Sequence, residues 1–150
     1  MKTFLLWQKW LLIVCIFISV FGVLIAFLSG TPLFSIFNRQ IDPAFWGVNT
    51  ADALAGRFQQ WLYGVWGATI AGWGIVMSCV VHRPFKNKER WAWNALALGI
   101  LVWFVLDTGL SIIHKVYFNV AFNTTLLVLA GLPMAFTISE FNEQPAQQTE

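Results

Sequence analysis

Four stretches of this chain are apolar over roughly 20 residues each, which is the length that a helix needs to cross a bilayer. They cover residues 10–29, 61–81, 91–113 and 118–137. Over the whole chain 58% of residues are hydrophobic and 11% are charged, whereas about 25% are charged in a soluble domain. A chain of 150 residues cannot bury so much apolar surface in one aqueous core. The sequence therefore predicts an all-α membrane protein, a bundle of four transmembrane helices forming a single domain over residues 1–150.

The same composition excludes a soluble enzyme, a disordered tail and a nucleic-acid binder. The first apolar run follows Lys2, as the core of a signal peptide would. It is longer than the 7–15 residues of a typical signal-peptide core, and no small-residue cleavage site follows it. We therefore expect a helix that is retained.

The distribution of basic residues predicts the orientation. Cytoplasmic loops of membrane proteins are enriched in Lys and Arg, and the richest loop is the short segment 82–90, HRPFKNKER. This places both termini and that loop in the cytoplasm, an N-in/C-in topology. The residues predicted to be inside are Lys2, Lys9, Arg83, Lys86, Lys88 and Arg90, and those outside are Arg39, Arg57 and Lys115.

The long first loop, residues 30–60, is predicted to lie outside and to carry a short helical cap. Thr31-Pro32 is a typical helix start, and Asp42-Pro43 is expected to end this helix. Asn49 or Thr50 is then expected to cap a helix that continues into the second span, with Asp52 in its first turn. At the other end of the chain, residues 140–150 are expected to form a polar cytoplasmic tail.

Small residues recur at a spacing of four in the second span, at Gly64, Ala68 and Gly72, and again from Gly67 to Ala71. Such stripes let helix backbones approach closely in lipid. Close packing inside the bundle and a homodimer through Gly64, Ala68 and Gly72 both explain the pattern.

Pro133 interrupts the fourth span and predicts a kink there. A proline leaves the carbonyl four residues earlier without its helical donor. Neighbouring helices or Thr137 are expected to satisfy the freed backbone group.

Asp107 is the one ionisable residue well inside a predicted span. It lies seven residues from His114 at the outer end of the third span, or about 10 Å at 1.5 Å per residue. A carboxyl group at that depth is costly and marks a functional site by default. Polar residues at a similar depth could meet it, whereas the inner half is almost entirely apolar. These candidates are Tyr63, Asn123, Thr108, Ser111, Gln60, Thr124, Asn119 and Arg57.

The sequence thus predicts either a structural polar network around Asp107 or an outward-facing ligand pocket. Trp66, Trp73 and Trp103 lie deep in their spans and are expected either to pack in the bundle or to form the wall of such a pocket. The predicted ligand-binding residues are Asp107, Ser111, His114, Tyr63, Asn123, Arg57 and Trp66.

Catalytic, metal and cofactor sites are not predicted. Asp107, Ser111 and His114 share one helix face, but a catalytic triad needs the histidine between the other two. No His, Cys and carboxylate pattern has the spacing of a zinc site, and His82 and His114 lie at opposite ends of the membrane. The inner half also lacks the chain of polar groups that conduction requires.

Part of the chain resembles a group of small bacterial four-span integral membrane proteins. The residues that carry the resemblance are YGVWGATIAGWG at 63–74, RPFKNKERWAW at 83–93, FVLDTGLS at 104–111 and VYFNVAFN at 116–123. The resemblance implies a four-helix membrane fold in a bacterial cytoplasmic membrane. The group has no established activity, so no catalytic residue is carried over.

We expect a non-enzymatic membrane protein whose pocket around Asp107 binds a lipid, an apolar small molecule or a partner protein's helix. A small ion-coupled transporter or channel is the alternative, and a membrane-embedded lipid-modifying enzyme comes third. The expected partners are membrane lipids and, through the second span, another copy of the chain.

Overall fold

A computed structural model describes residues 2–47 and 53–142, and every element in those two ranges is helical. Four of the helices are long and apolar enough to cross a membrane. The predicted all-helical bundle with four apolar spans is therefore confirmed, while its sidedness stays a prediction. The elements are α1 (Lys2–Leu28), a 3₁₀ turn (Pro32–Phe34), α2 (Ser35–Trp46), α3 (Ala53–Val80) with a π-helical turn (Val81–Phe85), α4 (Arg90–Ile113) and α5 (Tyr117–Asn142).

The four long helices form an open arc in the order α3, α1, α5, α4. Helix α1 packs against both α3 and α5, and α4 packs against α5. Helices α3 and α4 meet through the π-helical turn that precedes α4, but their backbones rarely approach each other along the spans. We call this turn and the residues around it the hairpin end of the bundle, and the opposite end, where α2 lies, the α2 end.

Helices α1 and α3 touch backbone to backbone. A Cβ atom placed on Gly67 would lie 2.6 Å from the carbonyl oxygen of Gly22. One placed on Gly74 would lie 2.7 Å from the backbone nitrogen of Ser19. Ala71 is buried in the same stripe. Only glycine allows such an approach at residues 67 and 74, so this small-residue stripe of α3 closes the bundle internally.

The neighbouring stripe of α3 lies differently. Gly64 is half-buried, whereas Ala68 and Gly72 are exposed on the outside of the bundle. A Cβ atom on Gly72 would meet nothing within 4 Å. A homodimer through these three residues stays a prediction.

The hairpin end is closed by an aromatic cluster. The rings of Phe4 and Phe85 lie 5.9 Å apart, and those of Phe85 and Phe141 lie 4.8 Å apart. Lys88 forms an ion pair with Glu140 and lies 5.2 Å from the Phe4 ring centre. These contacts hold α5 helical as far as Asn142, so the tail predicted from residue 140 does not begin there. Residues 143–150 lie outside the described ranges.

Helix α2 extends beyond its predicted end. It continues through Asp42-Pro43 to Trp46, because the carbonyl that Pro43 leaves free belongs to Arg39, which is exposed and can be solvated. The predicted capping residues Asn49 and Thr50, with Asp52, lie outside the described ranges.

The backbone carbonyl freed by Pro133 accepts a hydrogen bond from a neighbouring helix, as predicted. That carbonyl belongs to Leu129, and it accepts a hydrogen bond from the Trp10 indole at 3.0 Å. Thr137 donates to the carbonyl of Pro133 itself at 2.7 Å. The indole of Trp93 donates to Met134 at 3.1 Å. Indole donors from α1 and α4 thus tie both helices to the part of α5 around Pro133.

Candidate ligand-binding site in the bundle

The arc encloses a cavity of about 520 Å³ between α1, α3, α4 and α5, with α2 at one end. Its volume falls within the range of about 300–1,000 Å³ that is usual for small-molecule sites. Most of its lining is apolar. The polar side chains in the lining are Asp107, Asn119, Asn123, Tyr63 and Thr69.

Asp107 forms the polar end of this cavity together with two asparagines of α5. Its Oδ1 atom accepts hydrogen bonds from Asn119 Nδ2 at 2.6 Å and from Asn123 Nδ2 at 3.0 Å. Ser111 Oγ lies 3.3 Å from the same oxygen and donates at 2.7 Å to the Asp107 backbone carbonyl. Asn123 is 2% exposed and also reaches Thr108. The network fixes α4 against α5 at this level.

Only one of the two carboxyl oxygens is used. Two asparagine amides donate to Oδ1 and the Ser111 hydroxyl lies near it, whereas Oδ2 accepts no hydrogen bond from residues 2–47 or 53–142. An ionised carboxyl oxygen without a donor remains a free hydrogen-bond acceptor. Because Asp107 lines the cavity, a bound molecule can supply the missing partner.

Tyr63 of α3 also lines the cavity. Its hydroxyl oxygen accepts a hydrogen bond from Gln59 Nε2 at 2.9 Å, and the same amide donates to Asp42 of α2 at 2.9 Å. The hydroxyl hydrogen of Tyr63 has no acceptor in the described part of the chain. Tyr63 therefore brings an unused donor to the cavity that holds the unused acceptor of Asp107.

Large aromatic side chains stand where α3 faces α4. The rings of Trp73 and Trp103 are 6.1 Å apart across the space between the two helices. Trp66 lines the same wall and is 55% exposed. On α4 the wall continues with Gly99 and with Val102, which is 48% exposed. The cavity thus borders the outer surface of the bundle between α3 and α4.

Phenylalanine side chains pair across the opposite wall of the cavity. Phe21 of α1 packs against Phe122 of α5, with ring centres 5.3 Å apart. Phe37 of α2 packs against Phe118 of α5 at 5.6 Å. These pairs lie within the usual range for interacting aromatic rings. These ring pairs join α1 and α2 to α5, while Phe17 of α1 lines the cavity and is 51% exposed, so the cavity also borders the bundle surface on the α1 side.

Toward the hairpin end the cavity is lined by apolar side chains. Leu11, Met77 and Leu96 are each buried to 95% or more. Leu96 and Asp107 are eleven residues apart on α4, so the cavity extends along the helix for about 16 Å. A long apolar chamber with a polar group at one end suits an amphipathic molecule.

The structure brings together some of the residues predicted for the site. Asp107, Tyr63, Asn123 and Trp66 line the cavity. Ser111 lies behind the lining and bonds Asp107.

Two other predicted residues lie apart from the cavity. The ring of His114 lies tilted against that of Phe45, with ring centres 5.6 Å apart. Arg57 is exposed at the start of α3. Neither of them is among the residues that line the cavity.

Asn119 belongs to the site, but it is missing from the predicted ligand-binding residues. The sequence places it only among the polar residues at the depth of Asp107. Asn119 and Asn123 are four apart on α5 and so share one helix face. That spacing on the helix next to Asp107 is the signal that could have placed Asn119 in the site.

A second cavity, of about 570 Å³, lies at the α2 end and is more polar. We call it the vestibule. Asp42, Gln59 and Tyr63 line it, and Asn38 contributes a buried Oδ1 atom without a hydrogen-bond partner among the described residues. Tyr63 lines both chambers.

The fold and the site fit an integral membrane protein built as a helix bundle around a cavity. Within the described ranges no group of three or more His, Cys, Asp or Glu side chains is placed to hold a metal ion. No protein-family model, curated protein or solved structure matches the chain. The site's own residues therefore carry the functional interpretation.

Proposed function

We propose that this chain is a membrane protein that binds an amphipathic, lipid-soluble molecule in the cavity, with the polar head at Asp107. The observation that carries the proposal is the unused Oδ2 atom of Asp107 at one end of an otherwise apolar chamber. A ligand with an apolar body and one polar group would bury its body against α1 and α3 and satisfy that oxygen. Burial of apolar surface would supply most of the binding free energy.

The lining favours binding over ion transport. An ion or proton path needs polar groups across the whole membrane. Here the polar side chains of the lining cluster around Asp107, Thr69 bonds to its own helix, and the hairpin half of the chamber is lined by apolar side chains such as Leu11, Met77 and Leu96. Catalysis would need a nucleophile, a metal or an acid–base partner beside Asp107, and its hydrogen-bond partners are asparagine amides and a serine.

Native mass spectrometry of the chain purified in mild detergent tests the proposal. We expect a lipid-like species to co-purify with the wild type, and its occupancy to fall in Trp66→Ala and in Asp107→Asn. Trp61→Ala is the matched control, because Trp61 is on the same helix and 61% exposed but does not line the cavity.

The proposal has a clear contrary outcome. A spectrum free of bound species, together with a thermal stability that added lipids leave unchanged, would contradict it. Equal losses in Trp61→Ala and Trp66→Ala would show that the effect comes from the bundle surface and not from the cavity.

A further inference from the structure

We propose that the ligand of this cavity is an amphipathic organic cation, a protonated amine with an apolar body, whose head pairs with Asp107 beside the aromatic wall of α4. The inference rests on the proposed binding function and names the chemical class of the ligand. Two independent sets of observations support it: the charge of the lining, and the aromatic side chains next to the carboxyl group.

The one ionisable acid in the lining has no counter-charge. The nine Lys and Arg residues and both His residues of the chain all lie within residues 2–47 and 53–142, and none of them lines the cavity. Asp107 forms no ion pair with any described residue. His114 is seven residues away on α4, or about 10 Å along the axis, and its ring lies against Phe45. The half-buried carboxyl group of Asp107 is therefore not neutralised by any side chain of the protein.

Each class of head group would meet this carboxyl group differently. A phosphate or carboxylate head would place a second negative charge beside it, and like charges repel. A hydroxyl can donate to the unused Oδ2 atom but leaves the negative charge uncompensated. An ammonium group supplies both a donor and the opposite charge, and hydrogen bonds between charged groups are about twice as strong as neutral ones. A cationic head is thus the best match for the free acceptor of Asp107.

Aromatic side chains surround the position of the head. Trp103 precedes Asp107 by four residues on α4 and both line the cavity, so the two side chains share one wall. The Trp73 ring lies 6.1 Å from that of Trp103, and Phe118 and Phe122 of α5 also belong to the lining. The faces of aromatic rings attract cations. A cationic head therefore gains contacts in this wall that a neutral or anionic head lacks.

The rest of the cavity suits an alkyl or aryl body. From Asp107 the lining continues past Trp103 to Leu96, about 16 Å along α4. Leu11 and Met77, both buried, line the same half. An amine with a dodecyl chain can extend along this part of the cavity with its nitrogen at Asp107.

Binding of three matched probes to the full chain tests the ligand class. The probes are dodecylammonium, 1-dodecanol and dodecyl phosphate, which share a chain and differ in the charge of the head. The protein is held in nanodiscs of phosphatidylcholine, which has no net charge, and binding to empty nanodiscs is subtracted. We expect dodecylammonium to bind about tenfold more tightly than 1-dodecanol, and dodecyl phosphate to bind most weakly.

Asp107→Asn removes the charge and keeps the shape of the side chain. We expect the preference for the ammonium probe over the alcohol to shrink to about twofold, because the amide offers an acceptor without a charge. Asp42→Asn is the matched control, since the Asp42 carboxyl lines the vestibule and not the cavity, and it should keep the tenfold preference. Circular dichroism checks that Asp107→Asn keeps its helices, and Asp107→Ser is the second uncharged variant should it not fold.

The outcomes separate the two proposals. Equal affinities for the ammonium and alcohol probes, tightest binding of the phosphate, or an ammonium preference that persists in Asp107→Asn would overturn the cation inference and leave the binding function standing. Failure of all three probes to bind, with no co-purified species in native mass spectrometry, would overturn both.

Trp103→Leu tests the place of the head beside the aromatic wall. We expect the affinity for dodecylammonium to fall about threefold and that for 1-dodecanol by less than about twofold. Trp91→Leu is the control, because Trp91 is on the same helix and 54% exposed but does not line the cavity. Equal losses for both probes in Trp103→Leu would show that its ring contacts only the alkyl chain, and would overturn the position of the head beside it.

Discussion

Helix α3 meets its two neighbours in opposite ways. Toward α1 it presents Gly67 and Gly74, and the backbones are so close that a single added carbon would collide. Toward α4 it presents Trp66 and Trp73, and the backbones stay apart. Small side chains thus close one side of the helix, while large ones border an opening on the other. The difference indicates that the α1–α3 interface stabilises the bundle, and the space between α3 and α4 is where we propose that a ligand binds.

Among substitutions on α3, the largest expected effect on stability is at the closed interface with α1. Gly67→Val should lower the free energy of unfolding by about 3 kcal/mol, because its new carbons would push into the backbone of Gly22 and Ala26 and overpacking of this kind is costly. The measurement is reversible unfolding in mixed detergent micelles. Gly72→Val, on the open outer face of the same helix, is the control and should change the free energy by less than about 1 kcal/mol.

A similar loss of unfolding free energy in both valine variants would contradict the special role of the α1–α3 interface. It would reflect the helix propensity of valine and not the contact with α1. The difference between the two variants is therefore the quantity to measure.

A smaller effect on stability is expected at the open side. Removal of a buried aromatic side chain usually costs about 3–5 kcal/mol, and Phe85→Ala, at a site with 0% exposure, should fall in that range. Trp73 borders existing empty space, so Trp73→Ala should cost only about 1–2 kcal/mol although the side chain is larger. The same unfolding assay measures both variants.

Trp73→Ala should nevertheless abolish the co-purified species. If its stability cost instead equals that of Phe85→Ala, Trp73 belongs to the packed core. Trp73 would then give no support for ligand binding between α3 and α4.

The contrast between the two sides of α3 was only partly visible in the sequence. The apolar runs and the small residues predict the four helices, because length and hydropathy are local properties. The depth of Asp107 can be counted along α4, and this locates the polar end. Which small-residue stripe faces α1 is not predictable, since Gly64–Ala68–Gly72 and Gly67–Ala71 are equally regular.

The sequence also does not predict which polar residues contact Asp107. Depth alone admits Arg57, Tyr63, Asn119 and Asn123, but rotation of each helix about its axis decides which of them reach the carboxyl group. Contacts between α4 and α5 turn the two asparagines inward. Arg57 lies at the exposed start of α3, and no local pattern distinguishes these positions.

The smallest expected effect concerns the third face of α3, which carries Ala68 and Gly72. In the single chain Gly72→Ala should raise the free energy of unfolding by about 0.5–1 kcal/mol, because glycine in a helix interior is less favourable than alanine by that amount and the new methyl group meets nothing. Gly67→Ala should have the opposite sign. If two copies instead pair through Gly64, Ala68 and Gly72, the added methyl group would separate their backbones. Gly72→Ala would then weaken the dimer in a cross-linking or sedimentation assay, and the outer face of α3 would count as a second closed interface.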